Sequence, residues 1–374
     1  IVVTGSRIAR PEISLPNPVV SFTAATIEQS GRTNLTDFLV QNPALLGSLT
    51  SADQSGSTGG FGATGTNLLD LRNLGTDRTL VLVDGRRHVA GLPGSAAVDI
   101  NTIPKDLIDR IDVQTGGASA IYGADGVSGV VNFVLKRNFE GLSIRGQTGI
   151  SNYGDAGNKY FAITAGKNFA DDRGNVALSY EYTKDDRLSS SNRSATGDPL
   201  QVYGFVREPG NTYERTLVNN LRYADSSRDG AVDLDLDFVP DFTGSGGVYD
   251  VGRYLGSGGL TQGGSSTPTA GYQGDLQPDN RIHNINALTS FEFSPALRVF
   301  AQGKYTNTKS YSVSQPSFDF YTYLAPDNAY LNQRFGAAAS VNGAFLSRDN
   351  FDLGVRGEAN DRETLRGVFG IDGR

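Results

Sequence analysis

The chain has 374 residues, with 33 Lys and Arg against 40 Asp and Glu, a net charge of −7 that lacks the basic excess of a nucleic-acid binder. It contains no Cys, which removes disulfides, thiolate nucleophiles and zinc–thiolate sites, and only two His, His88 and His283, far apart in sequence. Hydrophobic residues make up 38%, and the absence of any run of ~18 apolar residues excludes a helical span; 47 Gly with 16 Tyr and 19 Phe suit turn-rich β-structure.

The chain opens Ile1-Val2-Val3-Thr4-Gly5 without a charged and apolar leader pattern, so any signal peptide is expected to have been removed. Asn34-Leu-Thr-Asp-Phe-Leu-Val-Gln predicts a short helix: Asn34 is a capping residue, Leu35, Phe38 and Leu39 share a face, and Pro43 follows. Ser51 to Asn67 is a Gly/Ser/Thr-rich loop. Thr79-Leu-Val-Leu-Val-Asp-Gly-Arg reads as a buried strand entering an Asp-Gly turn. Pro104-Lys-Asp-Leu-Ile-Asp is expected to start another short helix, Pro being tolerated in the first turn. Arg110 to Thr115 and Gly129 to Lys136 then read as strands. Strands mixed with short helices imply a compact α+β domain up to about residue 140.

From Gly141 onward the pattern changes to six alternating segments. Leu142 and Ile144 oppose Ser143 and Arg145; Phe161, Ile163 and Ala165 oppose Tyr160, Ala162 and Thr164; Val176, Leu178 and Tyr180 oppose Ala177, Ser179 and Glu181. Ile285, Ala287 and Phe291 oppose Asn284, Asn286 and Glu292; Leu297, Val299 and Tyr305 oppose Arg298, Gln302 and Lys304; Leu365, Phe369 and Ile371 oppose Thr364, Arg366 and Asp372. Each run approximates the ~9–11 residues that cross a bilayer at a tilt. Segments two and three are joined by the tight Ala170-Asp-Asp-Arg-Gly turn, four and five by Ser294-Pro-Ala. By contrast, roughly a hundred residues separate three from four, far above the usual loop length. Short turns at one end and long loops at the other are the asymmetry of an outer-membrane barrel.

Three ordered motifs carry a family resemblance: the helical stretch around Thr36-Asp-Phe-Leu-Val-Gln-Asn-Pro, the run Leu71-Arg-Asn-Leu-Gly-Thr-Asp-Arg-Thr-Leu-Val-Leu-Val-Asp-Gly-Arg-Arg, and the run from Ile108 to Lys136. Together they resemble the plug domain of TonB-dependent outer-membrane receptors. The resemblance implies a TonB-box-like segment at 1–8, an α+β plug domain at 9–140, and at 141–374 the first strands of an antiparallel transmembrane β-barrel with long extracellular loops. Plugged transporters use about 22 strands, so the barrel is expected to be incomplete in this chain. Ile1, Val2, Val3, Thr4 and Gly5 resemble the segment that TonB binds as an added strand; an ordinary first plug strand is the other reading. Arg72 and Arg110 match plug arginines that in this family pair with glutamates of the barrel wall, expected on strands beyond Arg374; contacts to loop carbonyls are the alternative.

The implied function is TonB-dependent uptake of a scarce large nutrient, an iron–siderophore chelate, cobalamin or an oligosaccharide, across the bacterial outer membrane. Implied partners are TonB, outer-membrane lipid and lipopolysaccharide, and the ligand, with no nucleic acid and no catalytic residue. The upper plug loops, with Phe61, Arg87 and His88, are candidate ligand contacts, and the Tyr-rich outer loops suit either ring stacking or loop packing. Glycines 116, 117, 123, 126 and 129 lack the Lys-Ser/Thr of a phosphate loop and are expected to serve turns and close packing. No cofactor is expected. Asp225, Ser227 and Asp229 have part of a calcium-loop spacing, but the closing ligand falls on Leu236, leaving Asp235 or Asp237 only in a shifted register. A soluble β-rich glycan-binding or adhesion protein would alternate equally well, and is distinguished by burying its apolar rows.

Overall fold

The computed structural model describes residues 19–56, 61–116, 118–206, 215–256 and 259–373. These form two compact units, one of residues 1–187, 277–312 and 358–374, the other of 188–276 and 313–357. No helix among the described residues is long and apolar enough to cross a membrane.

The first unit begins with a five-stranded mixed sheet of β1 (Val19–Thr23), β2 (Thr79–Val83), β3 (Arg86–Arg87), β4 (Ile108–Thr115) and β5 (Gly129–Leu135), in the order β1-β4-β5-β2-β3. β5 runs parallel to β2 and antiparallel to β4, so both of its edges are paired, and all seven of its residues are buried. Against the sheet pack α1 (Ala24–Gln29) and α2 (Leu35–Leu39). Asn34 Oδ1 accepts the Thr36 N–H at 2.8 Å and caps α2, a contribution of about 1 kcal/mol. The helix thereby turns Leu35, Phe38 and Leu39 into a core with Ile111, Val131 and Phe133. At Gly129 φ is +141°, and an added Cβ would meet the Gln114 carbonyl oxygen of the adjacent strand.

The helix expected from Pro104 does not form. Pro104–Leu107 makes one turn, closed by the Ile108 N–H on the Lys105 carbonyl at 3.2 Å, because β4 starts at Ile108 and leaves no room for a second turn. The helical turn nearby is a 3₁₀ turn at Ile100–Thr102, capped by Asp99 through the Asn101 N–H at 3.1 Å.

Six antiparallel strands follow: β6 (Gly141–Gly149), β7 (Asn158–Phe169), β8 (Gly174–Asp185), β9 (Asp279–Ser294), β10 (Leu297–Pro316) and β11 (Val355–Gly373). Their order is β11-β10-β9-β8-β7-β6, an open meander with β6 and β11 as its two edges. The last three strands have 16, 20 and 19 residues, longer than the ~9–11 of a single crossing. The β7–β8 hairpin is closed by Ala170, Asp171 and Asp172, all at positive φ.

Burial on this sheet is inverted relative to a soluble one. Leu142, Ile144, Phe161, Val176, Leu178, Ile285, Leu365, Phe369 and Ile371 are exposed, while Thr164, Ser179, Glu181, Asn284, Asn286, Lys304 and Thr306 are buried. The α+β domain covers the polar face, through contacts such as Asn284 Nδ2 to the Asn101 carbonyl at 2.9 Å.

The second unit contains what sequence alone read as long loops. It folds into small antiparallel sheets over two apolar clusters, Val206, Val218, Leu221 and Leu255 in one, Val232, Leu331, Ala339 and Ala344 in the other. Its strands are mostly two to four residues long, too short for alternation to reveal.

Candidate functional site

The candidate site is the polar face of the six-stranded sheet where it holds the α+β domain. Strand register sets it out in rows. Arg145 opposes Ala162, which opposes Glu181, which opposes Asn284, which opposes Thr306, so one inward row crosses five strands at one level. Segment 101–106 of the α+β domain lies against that row. Asn284 donates to the Asn101 carbonyl, and the Glu181 carboxylate accepts the Lys105 and Asp106 N–H groups at 3.0 and 2.7 Å. Arg145 bridges Asp106 at 3.0 Å and Glu28 at 2.6 Å, and Tyr160 donates to Asp106 at 3.1 Å. The Arg145 guanidinium holds the Glu28 carboxyl below the usual carboxylate range, and burial, reinforced by Arg145, lowers Lys105 from its ordinary value.

A second contact grips the Gly-rich loop. Glu358 of β11 accepts the Gly62 and Thr64 N–H groups at 3.1 and 3.3 Å, while Arg362, four residues on, donates to the Gly62 and Thr64 carbonyls at 3.1 and 2.7 Å. One carboxylate and one guanidinium on the same face of a strand thus satisfy donors and acceptors of one loop segment. Ser310 also donates to the Thr64 carbonyl at 2.7 Å. Beneath the loop, Asp99 is fully buried and accepts from the Asn67 and Asn101 N–H groups, each at 3.1 Å. Burial raises its pKa, opposed by the Arg362 charge.

A third contact involves the strand after the Asp-Gly turn. Lys304 and His88 Nε2 lie 2.9 Å apart, Gln302 donates to Asp84 at 2.7 Å, and the Arg86 guanidinium stacks 4.3 Å over the Phe300 ring. Burial and the Lys304 ammonium push His88 down to about 3, so its imidazole is neutral and accepts. Two cavities lie along the interface: one lined by Lys105, Glu181, Asp185 and Asn284, with a volume of about 40 Å³, has room for water, and one lined by Val89, Leu92, Asp99, Thr308 and Arg362 has a volume of about 330 Å³.

Residues 11–130 match the family model of the TonB-dependent receptor plug domain. The chain carries a TonB-dependent receptor plug. Among solved structures it is similar to the ferric enterobactin receptor of Pseudomonas aeruginosa, at 14% identity and a TM-score of 0.46 over 79% of this chain and 34% of that one. It is also similar to the siderophore receptor PiuA of Acinetobacter baumannii, at 14% identity and a TM-score of 0.41 over 96% of this chain and 42% of that one. The chain therefore spans between a third and a half of the length of these two receptors.

On the plug, the residues singled out from sequence take separate places. Phe61 stands fully exposed next to the segment that Glu358 and Arg362 hold. Arg87 pairs with Asp125 and donates to the Tyr122 carbonyl at 2.6 Å, and His88 faces Lys304. Arg72, at φ +60°, is exposed; Arg110 lies along its own strand, 3.1 Å from Asp112 and 3.5 Å from Asp109. Ile1, Val2, Val3, Thr4 and Gly5 lie outside the described residues. Arg145, Glu181, Glu358 and Arg362 were not anticipated. The signal available was charge at inward positions of alternating strands, where a lumen filled only by water would leave neutral polar residues equally suitable.

In the second unit, the calcium-spaced residues are engaged separately. Tyr321 donates to Asp225 at 2.9 Å, and Asp229 accepts from the Ser245 N–H and hydroxyl at 3.0 and 2.6 Å. The carboxylates that do gather are Asp233, Asp235 and Asp237, within 4.8 Å of one another.

Proposed function

We propose that this chain serves TonB-dependent uptake of a scarce, large nutrient across the bacterial outer membrane, its six strands forming part of a lipid-facing barrel wall around the plug. The observation that carries this reading is the inverted burial: apolar rows such as Leu142, Ile144, Leu178, Leu365 and Phe369 are exposed while Glu181, Asn284 and Lys304 are buried behind the plug. In water such rows would associate; against lipid and lipopolysaccharide they need no protein partner. A glycan-binding sandwich requires the apolar rows packed on one another, so it is not favoured.

In this reading TonB pairs with Ile1–Gly5 as an added strand and transmits force to the plug. The ligand, an iron–siderophore chelate, cobalamin or an oligosaccharide, meets the outer loops and the exposed tip at Phe61. Arg72, exposed on the plug, would meet a wall glutamate, and Arg110 would exchange a strand neighbour for one. Growth under limitation supplies the test. Ferric chelates, cobalamin and oligosaccharides are offered singly to cells with and without TonB, and to cells whose receptor lacks residues 1–5. Growth on one of them is expected to need both. Growth that ignores both, with the protein in the aqueous fraction, would sink the reading.

A further inference from the structure

The turn Pro104–Leu107 meets the wall through charge. Arg145 sends one guanidinium nitrogen to Asp106 and the other to Glu28, and Tyr160 adds a hydroxyl to the same Asp106 oxygen. Two strands away on the same row, Glu181 takes the Lys105 and Asp106 N–H groups. Ala162, between them on the row, contributes only a methyl group. Asp106 and Glu181 are 5% exposed or less, so neither charge is supported by bulk water. The second Asp106 oxygen has no hydrogen-bond partner, which leaves the carboxylate dependent on Arg145 and Tyr160.

We propose that this turn is the anchor that keeps the lumen closed, with Arg145 and Glu181 of the wall as positioning residues and Asp106 as the plug group they hold. The polarity, cation on the wall and anion on the plug, is the reverse of the one implied for Arg72 and Arg110. An arginine suits the place because its planar fork reaches two carboxylates at once through separate nitrogens in a fixed geometry. Both wall residues act on the plug and set where it stands.

The proposal rests on the uptake reading, and its test uses the receptor in its own outer membrane. Vancomycin, too large for porins, is the probe, and its minimal inhibitory concentration reads how often the lumen stands open. At equal surface amount, Arg145→Glu is expected to lower that concentration on the order of tenfold, the effect of losing one hydrogen bond to a charged group. Combining it with Asp106→Arg is expected to restore the barrier, which a merely structural loss would not allow. Asp106→Asn leaves the barrel strands unaltered, is expected to leak likewise, and serves where the wall variant does not reach the membrane. A tight Arg145→Glu or Asp106→Asn receptor, or a paired variant as leaky as the single one, overturns the proposal. Vancomycin entry needs no TonB, so failure of the anchor is read apart from failure of TonB-dependent growth.

Discussion

Arg362 reaches from β11 to the Thr64 carbonyl at 2.7 Å, tying the wall to the plug loop that carries the exposed Phe61. With Glu358 it fixes both the donors and the acceptors of one short segment. Arg362→Ala removes two such bonds, each worth about 1.5–3 kcal/mol for a charged donor before solvent discounts it. Amide exchange at Gly62 and Thr64 is therefore expected to speed up while exchange in β5 is unchanged. Equal acceleration in both places would show general unfolding and refute a local clamp.

His88 gives the plug a pH dependence of definite sign. Its folded pKa is lowered from 6.5 to about 3, by burial first and by Lys304 second. Between those values the unfolded chain binds a proton that the folded one refuses, so stability is full above pH 6.5 and declines as pH falls toward about 3. His88→Gln keeps an acceptor for Lys304 and is expected to flatten the fall. Melting temperatures across this range decide it, an unchanged slope counting against the assignment.

Asp349 organises the second unit. It is buried, accepting from Tyr272 at 3.0 Å and Thr267 at 2.5 Å, while its own N–H donates to the Ser227 carbonyl at 2.9 Å. Asp349→Ala leaves two hydroxyls without an acceptor at a cost of about 1–3 kcal/mol each. Limited proteolysis is expected to cut within 188–276 first. Preferential cutting within the plug instead would contradict this.

Calcium is expected to leave the second unit unchanged. Asp233 already accepts the Leu236 and Phe238 N–H groups at 2.7 and 2.8 Å, and Asp237 accepts the Val239 N–H at 2.7 Å. A cation would have to compete with these bonds, and the closing bidentate carboxylate of a calcium loop is absent at Leu236. Melting curves with millimolar calcium and with chelator should coincide; a rise of several degrees with calcium would overturn the expectation.

Local chemistry by itself determined much of this protein. Asn34 before an apolar face specified a capped helix, the apolar run Thr79–Val83 specified a buried strand, and period-two alternation specified which residues of β6 to β11 face out. These signals are legible because they depend on near neighbours along the chain. Only the tertiary structure decided that Pro104–Leu107 is a turn, where the start of β4 and the Glu181 carboxylate outweigh a helix-opening Pro. It alone paired Arg145 with Asp106 and Arg362 with Thr64, and built a packed unit from strands of two to four residues. Such contacts join residues tens to hundreds of positions apart, through strand register and plug placement that no local window of sequence contains.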